Sequence, residues 1–151
     1  MSIATERLTL FADGGSRGNP GPAAGGAVLV AVDGTVLSEV AVYLGIATNN
    51  VAEWHGLLRG LEAAAELGAR RLSVRLDSEL VVRQLTGVYR VKHPDLIPLH
   101  GKARRLLAGF AEVDIAHVRR EHNKLADAAV NRCLDEAAGR ERGGPAGKTK
   151  A

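Results

Sequence analysis

A single cysteine, Cys133, occurs in the 151 residues. This excludes an internal disulfide and suits a reducing compartment, so a cytoplasmic location is expected. The five histidines and this cysteine form no HxxxH or CxxC pattern, which leaves zinc without its usual ligands. No apolar run approaches the length of a membrane span, and residues 1–7 show no basic region followed by an apolar segment. Neither a membrane partner nor export is therefore expected. No GxGxxG opens a helix, because Pro20 and Pro22 lead the glycine-rich stretch into a strand-like run, which argues against a nucleotide-binding oxidoreductase. No internal repeat is visible.

What remains suits one well-packed domain: 46% hydrophobic residues, 25% charged and a net charge of +3. The cations are spread among acids, and their small excess mildly favours a polyanionic partner.

Residues 7–12 read as a first strand that feeds Asp13 and a run of glycines and prolines. Such a run should stop a regular element and hold Asp13 at a strand end beside bare backbone, although a tight turn with an incidental acid looks the same. Two apolar, β-branched runs, 23–32 and 35–44, flank Asp33-Gly34, a dipeptide suited to a two-residue hairpin turn. Residues 49–67 read as a helix whose core stripe is Trp54, Leu57, Leu58, Leu61 and Ala65, with Gly56, Gly60 and Ala64 forming a small-residue row beside it. Residues 71–77 alternate as a fourth strand, parallel to the first and ending in Asp77. Residues 79–85 and 94–109 read as helices and 113–118 as a fifth strand. Asn123 can cap a last helix with Leu125, Ala129, Cys133 and Ala137 on its apolar face. The expected domain is 1–138, with 139–151 a disordered tail or truncated linker. The order βββαβααβα describes an α/β fold with a five-stranded mixed sheet flanked by helices.

Asp13 and Asp77 terminate strands expected to be parallel neighbours, and Glu53 and Asp127 lie early in helices that can point to the same edge. Two carboxylates about 4 Å apart repel by roughly 4 kcal/mol at an effective dielectric of about 20. Cations would offset this, and an oxygen-only donor set suits Mg²⁺ or Mn²⁺, two of which could drive phosphodiester hydrolysis. Four unrelated surface acids remain the plain alternative.

Asp13-Gly14-Gly15-Ser16 with Gly18-Asn19-Pro20-Gly21, Thr48-Asn49-Asn50-Val51-Ala52-Glu53, Leu76-Asp77-Ser78-Glu79 and Asn123-Lys124-Leu125-Ala126-Asp127 occur in that order. Together they resemble type 1 ribonuclease H over residues 7–137, closest to an archaeal-like branch also found in some bacteria. The resemblance implies the ribonuclease H-like fold and a monomeric endonuclease. It would cut the RNA strand of RNA–DNA hybrids with two Mg²⁺ ions, Mn²⁺ as a substitute, leaving 5′-phosphates. It also implies that Asp13, Glu53, Asp77 and Asp127 are the metal-binding and catalytic acids, Asp13 bridging both ions. Gly14, Gly15, Ser16, Asn19, Thr48, Asn49, Asn50, Ser78 and Glu79 match substrate-contacting positions. Asn49 or Asn50 could equally cap the helix. His122 is a candidate proton shuttle for the leaving group. In the branch resembled, cleavage of double-stranded RNA and fusion to a second, phosphatase-like domain occur.

Three features depart from the family pattern. Only residues 86–95, with Arg90, Lys92 and His93, fill the place of a long basic protrusion. Glu79 stands where glutamine is usual, and its charge should weaken hybrid binding unless it is screened or turned away. His122 precedes Asp127 by only five positions. Arg119, Arg120, Lys124, Lys102, Arg104 and Arg105 are candidate phosphate contacts or plain solvated charges. A catalytically silent binding module and another hydrolase of the wider ribonuclease H-like superfamily are the competing functions.

Overall fold

The computed structural model describes the backbone of residues 5–149 and the side chains of 5–140. Strands β1 (Arg7–Ser16), β2 (Gly21–Ala31) and β3 (Val36–Ala47) precede α1 (Asn49–Glu66), β4 (Arg71–Leu76) and α2 (Glu79–Leu85). Then follow α3 (Ile97–Leu107), β5 (Glu112–His117), a 3₁₀ turn (Arg120–His122) and α4 (Lys124–Thr149). The sheet order is β3-β2-β1-β4-β5, with β2 antiparallel to both β1 and β3, and β1, β4 and β5 parallel.

Helix α1 lies on one face of the sheet and α4 on the other, and glycines allow both to come close. A methyl group on Gly25 would strike the backbone of Gly56 in α1, whereas one on the neighbouring Gly26 would meet Ala129 and Val130 of α4. The predicted small-residue row is thus where α1 rests on β1 and β2: Gly60 lies over Leu10 and Ala27. Trp54, Leu57 and Leu61 are fully buried, and the indole Nε1 donates to Oε1 of buried Gln84 (3.2 Å), joining α1 to α2.

Several local expectations are corrected. The Gly14-Gly15 run does not stop β1, because both residues are paired with β2, opposite Gly25 and Ala24. The turn between Ala31 and Thr35 is a three-residue loop, 32–34. Gly34 N donates to Ala31 O (2.9 Å), Ala31 N to Thr35 O (2.8 Å), and of the Asp33-Gly34 pair only Gly34 has positive φ. Residues 94–96 form a turn before α3, with Asp95 N donating to His93 Nδ1 (3.0 Å) and Pro98 in the first helical turn. Ala65 and Leu125 are exposed, their expected places taken by Ala63, Ala64, Ala126, Val130 and Leu134. The backbone of α4 is helical through Thr149, past Gly139 where the sequence pattern ended the domain. The side chains of 141–151 lie outside the described residues.

Candidate metal centre and nucleic-acid interface

The β1–β4 register pairs Ala12 with Leu76, so Asp13 and Asp77 are the next residues on two parallel neighbours. Asp13 sits within β1, opposite Gly26, and it is β4 alone that has ended. Glu53 comes from the second turn of α1. A Cβ on Gly14 would be driven into the backbone of Ala52 and Glu53, and one on Gly56 into the Asp13 carbonyl. Bare backbone at Gly14 and Gly56 therefore brings Glu53 up to β1. Asp127 enters from α4, whose start is tied to β1 by Asn123: its buried amide Nδ2 donates to Ala12 O (2.9 Å). Asn123 is thus a tether between elements instead of the helix cap expected of it.

These acids and Arg120 line one open cleft of about 320 Å³, with Gly14, Gly15, Ser16 and Asn49 on its wall. Burial, then the charge of Asp77 and contact with Asp127, push the Asp13 carboxyl up to about 8, although Gly14 N donates to its Oδ1 (2.8 Å). Burial and Asp77 push Glu53 up to about 7 against the opposing pull of the Ser78 hydroxyl and Arg120. The neighbouring charges of Asp77 and Asp127, which add to the effect of burial on Asp13, also offer a cation a negative potential. Its all-oxygen donor set fits a hard divalent ion. Among the described residues no three of the acids converge into a ready-made cage, as expected where mutual repulsion opposes close approach.

Beside the acids the loop after β1 meets the start of α1. Ser16 N donates to Asn49 Oδ1 (2.8 Å), and Asn49 N donates to Asn19 Oδ1 (3.1 Å). Asn49 is held by these bonds, and the α1 cap is Thr48, whose Oγ1 accepts from Val51 N (3.2 Å). The expectation that Asn49 or Asn50 caps the helix is corrected accordingly. Ser78 caps α2 in the same way, through Val81 N (3.2 Å), while touching Glu53. The buried Ser16 Oγ and Asn50 Oδ1 have no protein partner among the described residues. Arg17 fastens the loop to α4 through Asp135 (2.8 Å) and Asn131 (3.3 Å).

Two expected residues lie differently. Glu79 is turned to Arg83 (2.8 Å), which screens its charge. His122 is exposed and does not line the acid cleft; Arg120, in the same 3₁₀ turn, does. Val118 N donates to Leu76 O (2.9 Å), which carries the chain after β5 along the end of β4 and so toward Asp77. The parallel β4–β5 pairing was the signal that could have singled out Arg120 among the cations.

The sequence matches the reverse transcriptase-like family over residues 11–133. It is 47% identical over 133 residues to the bifunctional protein Rv2228c of Mycobacterium tuberculosis, covering 87% of this chain and 36% of that protein. The chain thus spans about a third of that relative's length. It superposes on a crystal structure of ribonuclease H1 from the archaeon Halobacterium salinarum with a TM-score of 0.83 at 48% identity, covering 86% of this chain and 98% of that one. It also superposes on LC11 ribonuclease H1, isolated from compost by metagenomics and crystallised with an RNA/DNA hybrid. There the TM-score is 0.82 at 40% identity, covering 87% of this chain and 99% of the other. With this sheet order and these identities across nearly the whole described chain, the protein belongs to the reverse transcriptase-like family, in its type 1 ribonuclease H branch.

Proposed function

We propose that the protein is an endonuclease that hydrolyses the RNA strand of RNA–DNA hybrids, leaving 5′-phosphates. The observation that carries this reading is the β1–β4 register that sets Asp13 beside Asp77, with Glu53 and Asp127 on the same cleft. Asp13, Glu53 and Asp77 would hold one divalent ion and Asp13 and Asp127 a second, Mg²⁺ or alternatively Mn²⁺. Bound there, the ions supply an activated water and stabilise the leaving oxygen.

The chain's own groups do the rest. Ser78 holds the Glu53 carboxyl by its hydroxyl. Because the Asn49 Oδ1 is occupied by Ser16 N, its Nδ2 is left to donate toward base edges or the 2′-hydroxyl, the group that marks RNA. Ser16 Oγ, Asn50 Oδ1, Asn19, Thr48 and the bare backbone of Gly14 and Gly15 complete the surface offered to the hybrid. Arg120 places a fixed positive charge where phosphate charge would develop. His122, exposed two residues on, is the proposed proton donor to the leaving oxygen.

The LC11 relative was crystallised with a hybrid, which supports the substrate class. The greater length of the bifunctional mycobacterial relative supports a second domain in the full-length protein. A cytoplasmic location fits the single cysteine. The test is incubation with labelled hybrid, duplex RNA and single-stranded RNA in Mg²⁺ or Mn²⁺, with Asp77→Asn alongside. Metal-dependent cutting of the hybrid's RNA, lost in the variant, is expected, and duplex RNA is read in parallel as a second substrate. No cutting of any substrate overturns the proposal.

A further inference from the structure

Glu79 opens α2 immediately after Ser78, and its charge faces the end of the sheet that carries the acids: His117, which ends β5 opposite Leu76, lies within its electrostatic reach. One turn along the helix, Arg83 reaches back to it, with Nη2 to Oε2 at 2.8 Å. The ring of Tyr89 lies against the same guanidinium, 5.6 Å from its centroid, and Tyr89 N donates to Arg83 O (2.9 Å). The guanidinium is thus oriented by an aromatic face on one side and occupied by a carboxylate at its end.

Both charged side chains are well exposed, 43% for Arg83 and 60% for Glu79. An ion pair so exposed is weak, so another oxyanion can replace the carboxylate at little cost. A phosphodiester presents the same pair of oxygens to the same planar fork.

We propose that Glu79 is an internal competitor for a nucleic-acid phosphate: it occupies Arg83 in the free protein, and a backbone phosphate of the bound strand takes its place on the Tyr89-oriented guanidinium. Exchange leaves the Glu79 carboxylate beside a phosphate. The contact therefore adds little net affinity, and it disfavours loose polyanions that gain nothing in the cleft. This rests on the reading of the cleft as a site for RNA–DNA hybrids.

The test is hybrid binding by fluorescence anisotropy in EDTA, which blocks cleavage, for the wild type, Glu79→Gln, Arg83→Ala and the double variant. Salt is varied from about 50 to about 300 mM. Glu79→Gln should steepen the plot of log K against log salt by about 0.9, one phosphate's worth, because no freed carboxylate is left to take up a cation as Arg83 engages the phosphate. Over that sixfold range of salt the slope gives about fivefold tighter relative binding at the low end. The double variant should lose this gain, while Arg83→Ala alone changes affinity less than it does in the Glu79→Gln background. An unchanged slope in Glu79→Gln overturns the proposal, and so does a gain that survives in the double variant, which would be simple charge removal. Because binding is scored without cleavage, and the same titration is run with duplex RNA and duplex DNA, a protein that cut no hybrid would still decide the exchange. Failure of all four proteins to bind any duplex would overturn it.

Discussion

The side-chain amide of Asn123 donates to the carbonyl of Ala12, the residue before Asp13, across 111 positions of sequence. Asn123 is 1% exposed, and its own carbonyl accepts from Asp127 N (3.1 Å). Asn123 therefore couples the strand that carries the first acid, through its side chain, to the helical turn that carries the last, through its main-chain carbonyl. Asn123→Ala should cost about 1–3 kcal/mol by leaving a buried carbonyl unpaired. Because the start of α4 is released, Mg²⁺ affinity should fall as well. Urea unfolding and a metal titration read the two effects, and loss of stability with unaltered metal affinity would mean that the tether does not position Asp127.

The acids also set a dependence on pH. Asp13 is pushed up from 3.8 to about 8 and Glu53 from 4.5 to about 7, so both are protonated in the metal-free fold at pH values where the unfolded chain has ionised them. The folded state binds more protons in that window, and stability falls as pH rises, from just above 4 through about 8. Thermal midpoints in EDTA should decline across that range, and Asp13→Asn should flatten the decline. Mg²⁺ should raise the midpoint most at the alkaline end. A midpoint in EDTA that climbs from pH 5 to 8 would contradict this.

The glycines beneath α1 act by absence. Gly56→Ala would drive a methyl group into the Asp13 carbonyl; overpacking of this kind costs about 1–3 kcal/mol. It should also lower kcat, because Glu53 is moved away from Asp13. Gly15→Ala, whose methyl would meet only Val130 at 4.0 Å, should keep the wild-type thermal midpoint. Equal destabilisation by the two substitutions would remove the packing argument.

Arg120 and His122 share one turn but should respond differently. Arg120→Ala removes a cation lining the cleft and should cut kcat roughly a hundredfold. It should also raise the Glu53 pKa, since Arg120 pulls it down. His122→Ala should lower turnover without abolishing metal binding, read by steady-state kinetics beside a metal titration. Unchanged turnover in His122→Ala would refute its proton-donor role.

Patterns that depend on near neighbours were legible. Alternation along 71–76 gave β4 its buried face of Leu72, Val74 and Leu76, and the helical spacing of Trp54, Leu57, Leu58 and Leu61 gave the α1 stripe. Burial at the margins was not legible. Ala65 and Leu125 continue the right periodicity, yet whether a position is covered depends on how far the partner element extends.

Sequence by itself determined the element order, the parallel return of β4 and which elements carry the four acids, because periodicity, turn chemistry and chain handedness are local properties. Only the tertiary structure decided how those acids meet. The Gly14-Gly15 run stayed in β1 because β2 supplied the hydrogen-bond partners. Thr48 became the cap because Ser16, 33 positions before Asn49, had claimed its amide. Arg120 reached the cleft through a strand pairing, and the charge of Glu79 was screened through an ion pair. Each outcome was a competition among donors, acceptors and charges brought together from distant parts of the chain, and such a competition has no result until the fold has assembled the competitors.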